Sequence, residues 1–194
     1  LFVAEGPSFV ESLSNRGFDV FLDLKFHDIP NTVASACKTA SRLGVWMINV
    51  HASGGSRMME AAREAVEQEV NQPKLIAVTI LTSMDDQDLQ QLKIENSARE
   101  QALYLSQLTR QAGLDGVVCS AQEASAMREL NGEDFLLVTP GIRPAGADQG
   151  DQKRVVTPED AFASGSSYLV MGRPITRADD PVAVLQQANS AALA

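Results

Sequence analysis

Phe18-Asp19-Val20-Phe21-Leu22-Asp23-Leu24-Lys25-Phe26-His27-Asp28-Ile29-Pro30 reads as a short apolar strand that runs into acid, lysine and acid. Residues two apart on an extended strand face the same way. Asp23 and Lys25 are therefore expected side by side at the strand's end, with Asp28 in the turn that follows. Asp28 is within reach of the same lysine or of a neighbouring subunit. Nearby carboxylates favour the charged form of a lysine. Such an ammonium is a poor nucleophile and a good proton donor. A plain surface ion-pair network is the competing reading, since structural networks perturb charges too. The apolar setting and close spacing argue for chemistry.

Outward from this strand, strand-like and helix-like segments alternate. Phe9, Val10 and Leu13 at helical spacing predict a helix over residues 6–16, stopped by Gly17. Asn31 and Thr32 are expected to cap a helix reaching about Leu43, with Gly44 as its stop. Further strands are expected over residues 45–50, 75–81, 116–120, 135–139 and 168–171, and helices over 56–68, 98–111, 122–129, 158–164 and 181–192. Residues 85–96 and 143–154 read as polar connections.

These strands are continuous apolar runs, as in strands covered on both faces. Strand–helix repetition points to a parallel sheet under helices. An open doubly wound sheet and a closed (β/α)₈ barrel both fit that pattern. The chemically notable residues follow several different strands, which favours the barrel, whose catalytic groups come from many strand ends. The chain shows about six strand–helix units where a TIM barrel has eight. Residues 1–194 are accordingly read as one α/β barrel domain, N-terminally incomplete and lacking its first two strands.

The bulk composition narrows the function class. With 194 residues the chain can bury a sizeable core, and 44% hydrophobic with 21% charged residues is ordinary for a globular protein. A net charge of −9 argues against a nucleic-acid binder, yet a few local cations suffice for a small anion. Cys37 and Cys119 form no CxxC pair and read as buried free thiols, in keeping with a reducing cytosol. No membrane-spanning run and no signal peptide is visible. A cytoplasmic protein without membrane or nucleic-acid partners is expected.

Three more constellations carry chemistry. Tyr168-Leu-Val-Met-Gly172-Arg173-Pro174 is a buried strand running into a glycine and an arginine, a pairing that suits phosphate oxygens. In barrels, phosphate sites commonly form after strands 7 and 8. Thr139-Pro-Gly-Ile-Arg143-Pro144 opens a long polar loop carrying Gln149 and Gln152, which reads as a lid or binding loop. Thr79-Ile-Leu-Thr82-Ser83 places hydroxyls at a strand end, for a planar polar ligand or for simple capping. His51, also at a strand end, reads as a satisfied structural histidine, and His27 is not placed by the strand period. Trp46, Met47, Met58 and Met59 read as core. No metal-ligand spacing, dinucleotide fingerprint or nucleophile elbow is present.

Taken together, Asp23-Leu-Lys25-Phe-His-Asp28-Ile-Pro-Asn-Thr32, Thr79-Ile-Leu-Thr82-Ser83, Thr139-Pro-Gly-Ile-Arg143-Pro with Gly150-Asp-Gln152, and Gly172-Arg173-Pro174 resemble the orotidine 5′-phosphate decarboxylase family in its bacterial form. The likeness covers essentially the whole chain. It implies cofactor-free, metal-free decarboxylation of a pyrimidine nucleotide by a homodimer. Lys25 resembles the lysine that protonates C6 as carbon dioxide leaves, and Asp23 the acid beside the substrate carboxylate. Asp28 resembles the acid shared across the dimer interface, followed into the partner's site by Ile29 and Thr32. Thr82 matches a reader of the pyrimidine edge and Gln152 a lid residue linking base and phosphate. Gly172 and Arg173 match the phosphate grip, and Arg143 a residue of the nucleotide site. The family also has an early strand ending in Asp-Tyr and a next strand ending in Leu-Lys-Val-Gly, and neither appears here. The 194-residue polypeptide alone is therefore expected to fold poorly and to be inactive. Two competing readings are a metal-dependent sugar-phosphate decarboxylase or aldolase on the same barrel, and a non-catalytic phosphate-ligand binding protein.

Overall fold

The computed structural model describes residues 1–144 and 155–193. They fall into two compact units, Leu1–Val78 with Leu105–Gly116, and Thr79–Tyr104 with Val117–Ala194.

The first unit opens with helices α1 (Phe2–Glu5) and α2 (Pro7–Asn15). Strand β1 (Phe21–Phe26), helix α3 (Pro30–Ser41), β2 (Met47–His51), α4 (Ser56–Glu67) and β3 (Lys74–Val78) follow. The three strands pair in parallel in chain order. β2 and β3 match residue for residue, from Met47 with Lys74 to His51 with Val78. β1 is less regular: Phe21 and Leu22 pair with Met47 and Ile48, and the register resumes only at Phe26 with Val50. Asp23, Leu24 and Lys25 thus form a bulge opposite Asn49, the kind of irregularity that re-aims side chains. The core of this unit is continuous. Met47, Ile48 and Val50 of β2 and Leu75–Val78 of β3 are buried. α3 packs against α4, with Val33, Cys37 and Ala40 on one buried stripe and Met58, Met59, Ala62 and Val66 on the other. Their spacing is that of an amphipathic helix facing a core. Burial pushes the Cys37 thiol up to about 12, so it stays a protonated, inert thiol.

The second unit takes in α5 (Asp86–Gln91), the first half of α6 (Ala98–Gln111), most of β4 (Gly116–Val118), and α7 (Ala124–Asn131). β5 (Leu136–Thr139), α8 (Pro158–Ala163), β6 (Tyr168–Leu169), α9 (Arg173–Thr176) and α10 (Pro181–Ser190) complete it. β5 and β6 are parallel, and the Cys119 N–H donates to the Val138 carbonyl just past β4. Ala121, Ile142 and Ala161 form an apolar centre flanked by Val156, Leu169 and Met171. Arg128 ties the unit's loops together. Its Nη1 donates to the carbonyls of Gly132, Glu133 and Phe135, and its Nη2 to Gly165 O and Ser167 Oγ.

Several elements depart from expectation. α3 starts on Pro30 behind an N-cap at Ile29, and no side chain caps it. Proline at the first helical position needs no cap for its missing N–H, so Asn31 and Thr32 are free of that duty. Residues 85–96 are not a plain connection, because they contain α5. The Asp85 side chain accepts from the N–H groups of Gln87 and Asp88, and Asp88 returns the bond to Asp85 N–H. This reciprocal cap is worth a short helix in a polar stretch. Strands are shorter than their apolar runs: β3 stops at Val78, β4 at Val118 and β6 at Leu169. Trp46 is half-buried, while Met47, Met58 and Met59 are core.

Candidate functional site

The acid–lysine stretch lies wholly in the first unit. Lys25 sits in the bulge with φ of 54°, a left-handed conformation that non-glycine residues rarely adopt. Its Nζ donates to both Asp23 carboxylate oxygens at 2.6 Å. The side chains of Asp23 and Lys25 are 42% and 38% exposed, so the pair is open to an incoming molecule. The expectation that these two stand together holds, but strand alternation is not the reason. The bulge and the left-handed turn of Lys25 bring them into contact.

Asn49 faces the bulge from β2 and is fully buried. Its Nδ2 donates to Asp23 Oδ1 at 2.6 Å, and its Oδ1 accepts the Lys25 backbone N–H at 2.8 Å. Asn49 is absent from the motifs that mark the site in the sequence. The available signal was a single amide inside the apolar run Val45 to Val50, since a buried polar group needs a partner.

His51 ends β2, and its ring centroid lies 5.3 Å from that of His27, with the planes tilted by 33°. Burial lowers its pKa below the ordinary 6.5, the positive fields of His27 and Lys25 push the same way, and Asp23 pulls back. The folded protein therefore prefers a neutral His51. The unfolded chain takes up the proton first as pH falls, so stability is present above the ordinary histidine range and is lost below it. In denaturant titrations at stepped pH, His51→Gln is expected to lose less stability than the parent between pH 6.5 and the lower folded value. Parallel curves for the two proteins would refute this.

Asp28, Ile29 and Thr32 are exposed around the start of α3. The Asp28 carboxylate accepts the Ile29 N–H at 2.6 Å, and no ion pair joins it to Lys25 among the described residues. Ile29 is 68% exposed, a large apolar side chain left in water.

In the second unit, Thr79 Oγ1 donates to Val118 O of β4 at 2.9 Å, a cross-strand bond rather than local capping. Thr82 is buried and Ser83 exposed. Arg143 is 7% exposed, and its Nη1 donates to the Ile142 carbonyl at 2.8 Å. Its own N–H donates to Val156 O, and Ile142 bridges Val156, so both ends of the polar loop are tied together. Gln149 and Gln152 lie outside the described residues. Gly172 is the N-cap of α9, its carbonyl accepting from Ile175 and Thr176 N–H. Nothing lies within 4 Å of where a Cβ would stand on Gly172, so the backbone there is open to close approach. Arg173 is exposed as the first residue of α9. A cavity of about 550 Å³ in the same unit is lined by Met84, Asp85, Asp86, Arg99 and Glu123 among others. Its acids serve local backbone: Asp86 accepts the Ala98 N–H and Glu123 the Ser120 N–H. Among the described residues, no group of three or more His, Cys, Asp and Glu side chains is placed to hold a metal ion.

Comparison with known proteins bears on these groups. The family model described as orotidine 5′-phosphate decarboxylase / HUMPS family matches residues 1–188. Orotidine 5′-phosphate decarboxylase of Hydrogenovibrio crunogenus is 60% identical over 190 residues, covering 98% of this chain and 80% of the relative. That of Psychromonas ingrahamii is 61% identical, covering 97% and 81%. The crystal structure of orotidine 5′-phosphate decarboxylase from Lactobacillus acidophilus matches with a TM-score of 0.88 at 40% identity, covering 100% of this chain and 84% of that one. The six described strands, each followed by helix, thus belong to the (β/α)-barrel fold that was expected.

Proposed function

Because the chain belongs to the orotidine 5′-phosphate decarboxylase / HUMPS family, we propose that it converts orotidine 5′-monophosphate to uridine 5′-monophosphate and carbon dioxide in pyrimidine biosynthesis, without cofactor or metal. The observation that carries this reading is the Lys25 ammonium held on both oxygens of Asp23 in a strained, solvent-reachable bulge. The chemistry asks for such a group. As the C6–carboxylate bond breaks, its electron pair stays in the plane of the ring on C6, where the ring cannot delocalise it. A fixed ammonium stabilises that charge and then delivers its proton to C6. Asp23 keeps the ammonium aimed and stands beside the departing carboxylate.

The remaining assignments extend the same proposal. Thr82 reads the pyrimidine edge, Gln152 links base and phosphate, Gly172 and Arg173 grip the phosphate, and Arg143 serves the nucleotide site. Binding at the unreactive phosphate supplies energy that can be used at the reacting ring. Asp28, Ile29 and Thr32 form an exposed patch suited to a homodimer in which Asp28 is shared, with Ile29 as its apolar contact. No helix among the described residues is long and apolar enough to cross a membrane.

The test is turnover by the full-length gene product. Incubation with orotidine 5′-monophosphate should release carbon dioxide and uridine 5′-monophosphate in equal amounts, at a rate that a chelator leaves unchanged. Chelator-sensitive turnover of a keto-sugar phosphate would replace this reading with the metal-dependent one. Nucleotide binding without turnover would replace it with a binding protein.

A further inference from the structure

The bulge in β1 raises a question that its two charged residues do not answer. A bulge removes backbone groups from the ladder, and an unpaired buried N–H is costly. It also leaves Lys25 in a backbone conformation that needs outside support, because left-handed φ values persist only where surroundings enforce them. One side chain meets both needs. The Asn49 amide stands where a partner peptide would stand. It offers its oxygen to Lys25 N–H and its nitrogen to Asp23 Oδ1. The orientation is forced, since only the NH₂ end can face a carboxylate and only the oxygen can face an N–H. Asn49 has no freedom to drift. It is fully buried on β2, a strand in register with β3 on its other side, where Asn49 pairs with Ile76.

We propose that Asn49 is a positioning residue for the decarboxylation, clamping the Lys25 backbone and the Asp23 carboxylate through one amide so that the ammonium is aimed before substrate arrives. This rests on the functional reading above. Asn49 itself touches no reacting atom. Its effect is to fix the pair whose geometry sets the rate, and displacements of about 1 Å at a reacting group can cost on the order of 10²-fold.

Two variants of the full-length protein test this. Asn49→Ala removes both bonds. It should lower kcat by about 10²-fold while KM for the nucleotide moves less than about threefold, because phosphate and base contacts are untouched. Asn49→Asp is nearly isosteric and keeps an acceptor for Lys25 N–H, but sets a carboxylate against that of Asp23. Two carboxylates in contact share a proton, so one titrates well above the usual range. The ratio of variant to parent kcat should therefore rise as pH falls. The other titratable groups in this neighbourhood are Lys25, bonded to Asp23, and the His27–His51 pair, whose His51 senses both Lys25 and Asp23, and all are common to both proteins. The β3 neighbour is apolar Ile76. A merely structural asparagine predicts a pH-independent ratio. If Asn49→Ala does not fold, the pH-dependent ratio of Asn49→Asp decides alone. Parent activity with kcat preserved in Asn49→Ala, or a flat Asn49→Asp ratio, overturns the clamp and leaves the functional reading standing. A parent without decarboxylase activity overturns both.

Discussion

Replacing Lys25 with alanine should lower the rate of carbon dioxide release by on the order of 10⁴-fold or more, because one group supplies both electrostatic stabilisation and the proton. The loss belongs in kcat. Binding of the product nucleotide, measured by calorimetry, should change by less than about tenfold, since ring and phosphate contacts persist. Removal of the ammonium also leaves the Asp23 carboxylate without its ion pair, though Asn49 still donates to it. Folding needs a control here, and the backbone provides one. With φ of 54°, Lys25 occupies a conformation that disfavours any side chain bearing a Cβ. Lys25→Gly should be as inactive as Lys25→Ala yet more stable by about 1 kcal/mol, read as a shift in denaturation midpoint. Equal inactivity with opposite stability would separate chemistry from folding. Carbon dioxide release at the parent rate by either variant would remove Lys25 from the mechanism.

The same residue shows how far a sequence can be read. Apolar runs, glycine stops and alternation of strand with helix announced the parallel α/β order, because burial on both faces leaves a direct trace in composition. Asp23 and Lys25 are legible as a pair because two carboxylates and a lysine stand out against an otherwise apolar strand. The means of pairing was not legible. A bulge is set by what the neighbouring strand offers, and the Asn49 amide is 24 residues from Lys25 along the chain. Its signal, one polar residue in an apolar strand, says that a partner exists without saying which. The His27–His51 contact was hidden for the same reason, since it joins the ends of two strands. α5 is hard to read from sequence on different grounds. Its cap uses Asp85 and Asp88 rather than a hydroxyl with a glutamate, and its residues lack the apolar period that marks longer helices.

Arg173→Ala is the second large effect, and its physics differs from that of Lys25. Arg173 opens α9 beside Gly172, whose backbone is open to a ligand. A guanidinium fork on a phosphate dianion makes charge-assisted, paired hydrogen bonds. Losing two such bonds corresponds to about 10²–10³-fold in kcat/KM for the nucleotide. That number alone would not distinguish phosphate binding from general damage. The nucleoside orotidine does, because it lacks the group that Arg173 is proposed to hold. Parent and variant should decarboxylate orotidine at the same low kcat/KM, while only the parent gains from the phosphate. Should Arg173→Ala cost the same factor with both substrates, the arginine does not read the phosphate. An intermediate result for Arg173→Lys on the nucleotide would further assign the effect to fork geometry as well as charge, since a lysine keeps the charge and loses the paired contact.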